Sequence, residues 1–141
     1  MLENPSSYAT FAASELGEAE FLAELAQRAD CGILLDVNNV WVSCKNHGWD
    51  PHQYLATLPA ARVGQIHLAG HSDEGDLLID THDHAICDPV WELYRHTISL
   101  LGPVSTLLER DDHIPPYDDL VAEAMRAKEI MEGAGHAQLA G

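Results

Sequence analysis

The stretch Gly32-Ile33-Leu34-Leu35-Asp36-Val37 decides the fold. Apolar residues fill it almost without alternation, as in a parallel-sheet strand covered on both faces. It predicts a strand over Ile33–Val37 whose single polar member is the carboxylate Asp36. Upstream, Glu18–Ala29 (EAEFLAELAQRA) is acidic and helix-prone, and Gly32 follows as a stop. Downstream, Asp50-Pro51 reads as N-cap and first position of a helix to about Leu58, ended by Pro59. Val63–Leu68 is the next strand, and Leu77–Ile79 is a brief one ending at Asp80. Asp88-Pro89 opens another helix that Gly102 stops. Val104–Glu109 is a strand, and Asp118–Glu132 is a last amphipathic helix. Strands alternating with helices across short loops predict an α/β fold with a parallel sheet, either open and doubly wound or a (β/α) barrel. One domain over 1–132 is expected, with a flexible tail over 133–141.

The chain has 141 residues, 46% of them apolar, which suits a globular domain with its own core. No run approaches the roughly 18 apolar residues of a membrane-spanning helix. The start, MLENPSSYATF, lacks the basic and apolar regions of a signal peptide, so a cytoplasmic location is expected. Seven basic residues stand against 23 acidic ones, a formal charge of −16. Such a surface repels nucleic acid, and carboxylates gathered around cations would inflate the formal count. Cys31, Cys44 and Cys87 form no CxxC pair, which fits reduced thiols and not a thiolate zinc site. No nucleotide-binding glycine loop and no GxSxG elbow occurs.

Successive apolar segments end in a carboxylate or an imidazole: Glu3 after Leu2, Asp36 in ILLD, His67 in QIH, Asp80 in LLID, Glu109 in STLLE. In a parallel sheet all strand C-termini lie on one side, so these side chains would converge on the rim where α/β enzymes keep their sites. Converging acids repel one another unless a cation sits among them. Carboxylate oxygen with imidazole nitrogen suits Fe, Mn or Zn. His67 is expected to bind metal, and Asp80-x-His82 supplies two ligands at a bent strand end. His71 and Asp83 are expected to hold ligands by hydrogen bonds, and His84 to be a loop residue.

At these residues the chain resembles a known family. ENPSSY, LLDVNNVWVS followed by NHG, IHLAGH, IDTH and LLERD followed by IP are similar to the multinuclear non-heme iron-dependent oxidative enzymes, from Glu3 to about Ala127. The resemblance implies a xylose-isomerase-like (β/α)8 TIM barrel with two or three iron ions. It implies O2-dependent oxidation of cysteine residues in ribosomally made precursor peptides, often beside a small leader-recognition partner protein. Carried over, Glu3 looks like a bridging carboxylate. Asp36, His67 and Glu109 look like ligands of one metal with it. Asp80, His82 and Asn39, through its amide oxygen, look like the set for another. The ligand order also resembles apurinic endonucleases, where a histidine is expected at the place of Asn39. That departure and the acidity tell against DNA cleavage. A full barrel needs roughly 250 residues. The chain therefore looks like its C-terminal half, the last four to five βα units, without the first three units and two metal-binding histidines. Open strand edges predict an oligomer or a missing N-terminal half. Remaining alternatives are a zinc or manganese hydrolase or isomerase on the same barrel, and an inactive truncated remnant.

Overall fold

The computed structural model describes the backbone of residues 1–139 and side chains through residue 133. In chain order its elements are β1 (Leu2–Glu3), α1 (Glu18–Arg28), β2 (Ile33–Asp36), α2 (Val37–His47), α3 (Pro51–Thr57), β3 (Val63–Leu68), β4 (Ser72–Asp73), β5 (Leu78–Ile79), α4 (Asp88–Leu101), β6 (Thr106–Leu108) and α5 (Tyr117–Leu139). Four strands form a parallel sheet in the order β1-β2-β3-β6. The α/β class and the parallel sheet expected from the sequence are both present.

Register and pleat decide what each face carries. Asp36 pairs with His67, His67 with Leu107, and Glu3 with Leu34. Side chains alternate along a strand, so Glu3, Asp36, His67 and Glu109 share one face. Ile33, Leu35, Ile66 and Leu68 take the other face and are almost fully buried. They join Val40, Val90, Trp91, Tyr94 and Ile98 of the helices in one apolar cluster. Burying one such side chain stabilises the fold by roughly 1.5–3 kcal/mol. Coverage on both faces was expected, but helices cover only one. Leu34 is half-buried and Leu107 is 46% exposed.

Three features differ from the sequence expectation. The strand expected over Ile33–Val37 stops at Asp36, and helix α2 begins at once. Asp36 is its N-cap: Oδ1 accepts from the Asn39 N–H at 2.7 Å. Gly48, at φ 71°, closes the other end in the left-handed region. Val and Asn are weak helix formers, so VNNVWVSCKNH carries little helical signal. Burial of Val37, Val40, Val42 and Cys44 overrides propensity here. The second difference is Leu77–Ile79. Its strand, β5, is not in the parallel sheet but pairs antiparallel with β4 in a small hairpin. Gly75, at φ 84°, makes the turn, and its N–H donates to Asp73. Helix α5 also runs beyond the expected end at Glu132. The tail expected from Gly133 is helical backbone as far as Leu139, and its last two residues lie outside those described.

Candidate metal centre

The C-terminal ends of β1, β2, β3 and β6 open into a cleft of about 570 Å³. Glu3, Asn39, Asp80, His82, Glu109 and Asp111 line it. Asp36 and His67 are buried side chains of the strands at its floor.

One group comes entirely from the sheet. Single donor atoms of Glu3, Asp36, His67 and Glu109 lie within 4.8 Å of one another. His67 Nδ1 is 3.5 Å from Glu3 and 3.2 Å from Glu109, without hydrogen-bond geometry to either. Asp36 Oδ2 is likewise buried and makes no hydrogen bond. A buried polar atom left unpaired costs about 1–3 kcal/mol. Donors held at about 2.1 Å from one first-row ion lie about 3–4 Å apart, which matches the two distances at His67. The residues therefore fit a cation bound by oxygen and nitrogen.

The second group centres on His82, buried and at φ 50°. Its Nε2 faces Asp80 at 2.7 Å, Asn39 Oδ1 at 3.4 Å and Asp36 Oδ2 at 3.7 Å. Its Nδ1 faces Glu109 at 3.2 Å and Asp111 at 3.8 Å. The Asn39 amide is oriented by Nδ2, which donates to the Asn4 carbonyl at 3.1 Å, so its oxygen turns toward His82. All seven residues singled out from the sequence thus meet at one end of the sheet. His82, Glu109 and Asp111 also lie close enough to share an ion. However, Nδ1 and Nε2 point opposite ways from one ring, and the shorter contact, to Asp80, is on Nε2. Asp80 arrives from the hairpin, not from a sheet strand.

Electrostatics mark the cluster as short of positive charge. Burial pushes the Asp36 carboxyl up to about 7, with the nearby Asp80 and Glu3 adding to the rise. The Asn39 N–H and His82 oppose it. For His82, burial is the largest influence and pulls downward, but Asp80, Asp36 and Glu109 together outweigh it and hold the imidazole at about 9. Both shifts favour added positive charge in the cluster.

Residues the sequence reading passed over complete the frame. Asn4 binds the end of β2 from both sides: its Nδ2 donates to the Asp36 carbonyl at 2.9 Å, and its Oδ1 accepts from the Asp36 N–H at 2.8 Å. Tyr8 accepts from the Asp80 N–H at 2.9 Å. The Asp111 N–H donates to the His82 carbonyl at 2.8 Å. Asn4 follows Glu3 and Asp111 follows Glu109 by two, but nothing in their spacing separates them from ordinary loop polarity. His71 hydrogen-bonds Asn38. Asp83 bonds Thr81 and His84, and His84 is 54% exposed.

The chain matches, over residues 1–132, the family model described as "RiPP precursor modification enzyme MbnB/TglH/ChrH". A UPF0276 protein of Anaeromyxobacter sp. is 61% identical over 134 residues, covering 95% of this chain and 47% of that protein. A UPF0276 protein of Caulobacter vibrioides is 57% identical over 123 residues, 87% of this chain and 44% of the relative. One from Bordetella pertussis is 55% identical over 131 residues, 89% and 45% respectively. The chain thus spans somewhat less than half the length of these curated relatives.

Proposed function

The chain belongs to the family of RiPP precursor modification enzymes, and from that premise we propose that it carries part of a multinuclear iron centre that oxidises cysteine residues in a ribosomally made peptide. The observation that carries this reading is the pair of buried atoms that make no hydrogen bond, Asp36 Oδ2 and His67 Nδ1, among donors of Glu3 and Glu109. Glu3, Asp36, His67 and Glu109 would hold one ion, and Asn39, Asp80 and His82 a second. Bound ferrous iron supplies O2 activation and one-electron chemistry that side chains lack. The protein's own part is to fix donors on rigid strand ends, bury them, and leave the cleft open to a peptide. Tyr8, 46% exposed, stands at that cleft. A leader-recognition protein would present the peptide there. No helix among the described residues is long and apolar enough to cross a membrane.

The reading also requires more protein. The outer edges of β1 and β6 pair with no strand among the described residues. Apolar side chains such as Leu107, Ile114 and Met125 are 46–62% exposed. Strands from the remaining length of the relatives, or from another copy, would close the sheet into a TIM barrel. A clean monomer of this chain by light scattering at micromolar concentration would count against the open-edge reading.

The functional test is anaerobic reconstitution of an intact relative with Fe²⁺, metal analysis, and O2 consumption with a cysteine-containing precursor peptide. Peptide oxidation coupled to O2 uptake is expected. Failure to take up iron sinks the proposal. Turnover with Zn²⁺ in the absence of O2 would move the family fold to a hydrolase or isomerase reading. Iron uptake by the relative but not by this chain would mark the chain as an inactive remnant.

A further inference from the structure

Asp80, unlike Glu3, Asp36 and His67, is not held by the parallel sheet. It follows β5 of the two-stranded hairpin, and antiparallel pairs of that size are marginal by themselves. Something else must fix its carboxylate to the accuracy a metal site needs. Helix α2 supplies the fastening. Asn46 grips Leu78 on both backbone groups, donating to its carbonyl at 2.9 Å and accepting from its N–H at 2.9 Å. About two turns earlier on the same helix, Asn38 reaches Asp80 itself: Nδ2 donates to Oδ1 at 2.9 Å. Asn38 is fully buried, where an unsatisfied amide would be costly. Its other end accepts from His71 Nδ1 at 2.7 Å. An amide oxygen only accepts and a carboxylate only accepts, so both partners specify one orientation of the Asn38 side chain.

We propose that Asn38, oriented by His71, is the positioning residue that aims the hairpin-borne carboxylate of Asp80 at a metal ion. The proposal rests on the metal-centre reading above and adds the means by which a small hairpin becomes a ligand arm. Partners of ligands contribute to affinity by setting ligand direction, and their loss costs roughly 10–100-fold.

The test is Mn²⁺ binding to the full chain, followed by the loss of the free-ion EPR signal, for the parent, His71→Ala, Asn38→Leu, Asp80→Ala and the double variant His71→Ala/Asp80→Ala. His71 is only half-buried, so His71→Ala keeps the test independent of whether Asn38→Leu folds. Urea midpoints report folding separately. The expected result is that His71→Ala weakens one class of Mn²⁺ site by about 10–100-fold. The class built on Glu3, Asp36, His67 and Glu109 stays as in the parent. Adding His71→Ala to Asp80→Ala costs nothing further, because both act through one carboxylate. Parent-like Mn²⁺ affinity in His71→Ala, or additive losses in the double variant, overturns the proposal. A parent protein that takes up no Mn²⁺ overturns the metal reading for this chain, and this proposal with it.

Discussion

Asp36→Asn in metal-free protein should separate the cost of the cluster from its use. Asparagine keeps the oxygen that caps α2 through the Asn39 N–H, so the helix start survives. It removes the buried carboxyl that the surroundings hold at about 7 instead of 3.8. A raised folded-state value means that the native protein binds the proton more tightly than the unfolded chain. The associated stability is fully present below about pH 4 and is lost as pH rises through about 7. A difference of roughly 3 pH units corresponds to about 4 kcal/mol, lost in full above about pH 8. Urea unfolding of chelator-treated parent and variant, from pH 5 to pH 8.5, measures it. Asp36 also helps to hold His82 at about 9, so above pH 6.5 the comparison reads the coupled pair Asp36 and His82, and between pH 5 and 6.5 mainly Asp36. The expected outcome is a variant that gains on the parent by about 2.5–3 kcal/mol between pH 5 and pH 8.5, the rest of the loss falling below pH 5. Curves that stay parallel across the range would refute the reasoning. Mn²⁺ binding should weaken in the same variant, because a neutral amide replaces an anionic donor.

Three further outcomes test the frame. Gly70→Ala would put a Cβ 2.2 Å from the His84 carbonyl oxygen and 2.5 Å from that of Ala85, so the loop after His82 must move. A loss of about 1–3 kcal/mol by urea unfolding is expected. Trp91, 1% exposed and beneath the Arg126 guanidinium at 4.6 Å, should cost about 3–5 kcal/mol when replaced by alanine, read by the same assay. Burial, aided by Glu18 and Asp50, pushes the Cys44 thiol up to about 12. Timed iodoacetamide labelling with mass spectrometry should therefore modify the half-buried Cys31 and Cys87 well before Cys44.

Much of the candidate cluster is legible in the sequence. Glu3, Asp36, His67 and Glu109 could be read because each ends an apolar run, and parallel strands place all such ends on one side. Helix α2 could not, because valine and asparagine argue against a helix until burial is known. The hairpin was misplaced because LLI reads as strand in either setting, and a run of that length says nothing about its partner.

The sequence by itself determined the alternation of elements, the parallel sheet and the residue types at its rim, since these follow from local pattern and chain direction. Only the tertiary structure decided that the strand ends share one uncovered face, because that depends on register between strands distant in the chain. It also decided that Asp80 reaches the rim from a hairpin tied to α2 by Asn38 and Asn46. Hydrogen bonds across 42 and 32 residues have no periodicity to read. They exist only once packing has brought the helix and the hairpin together.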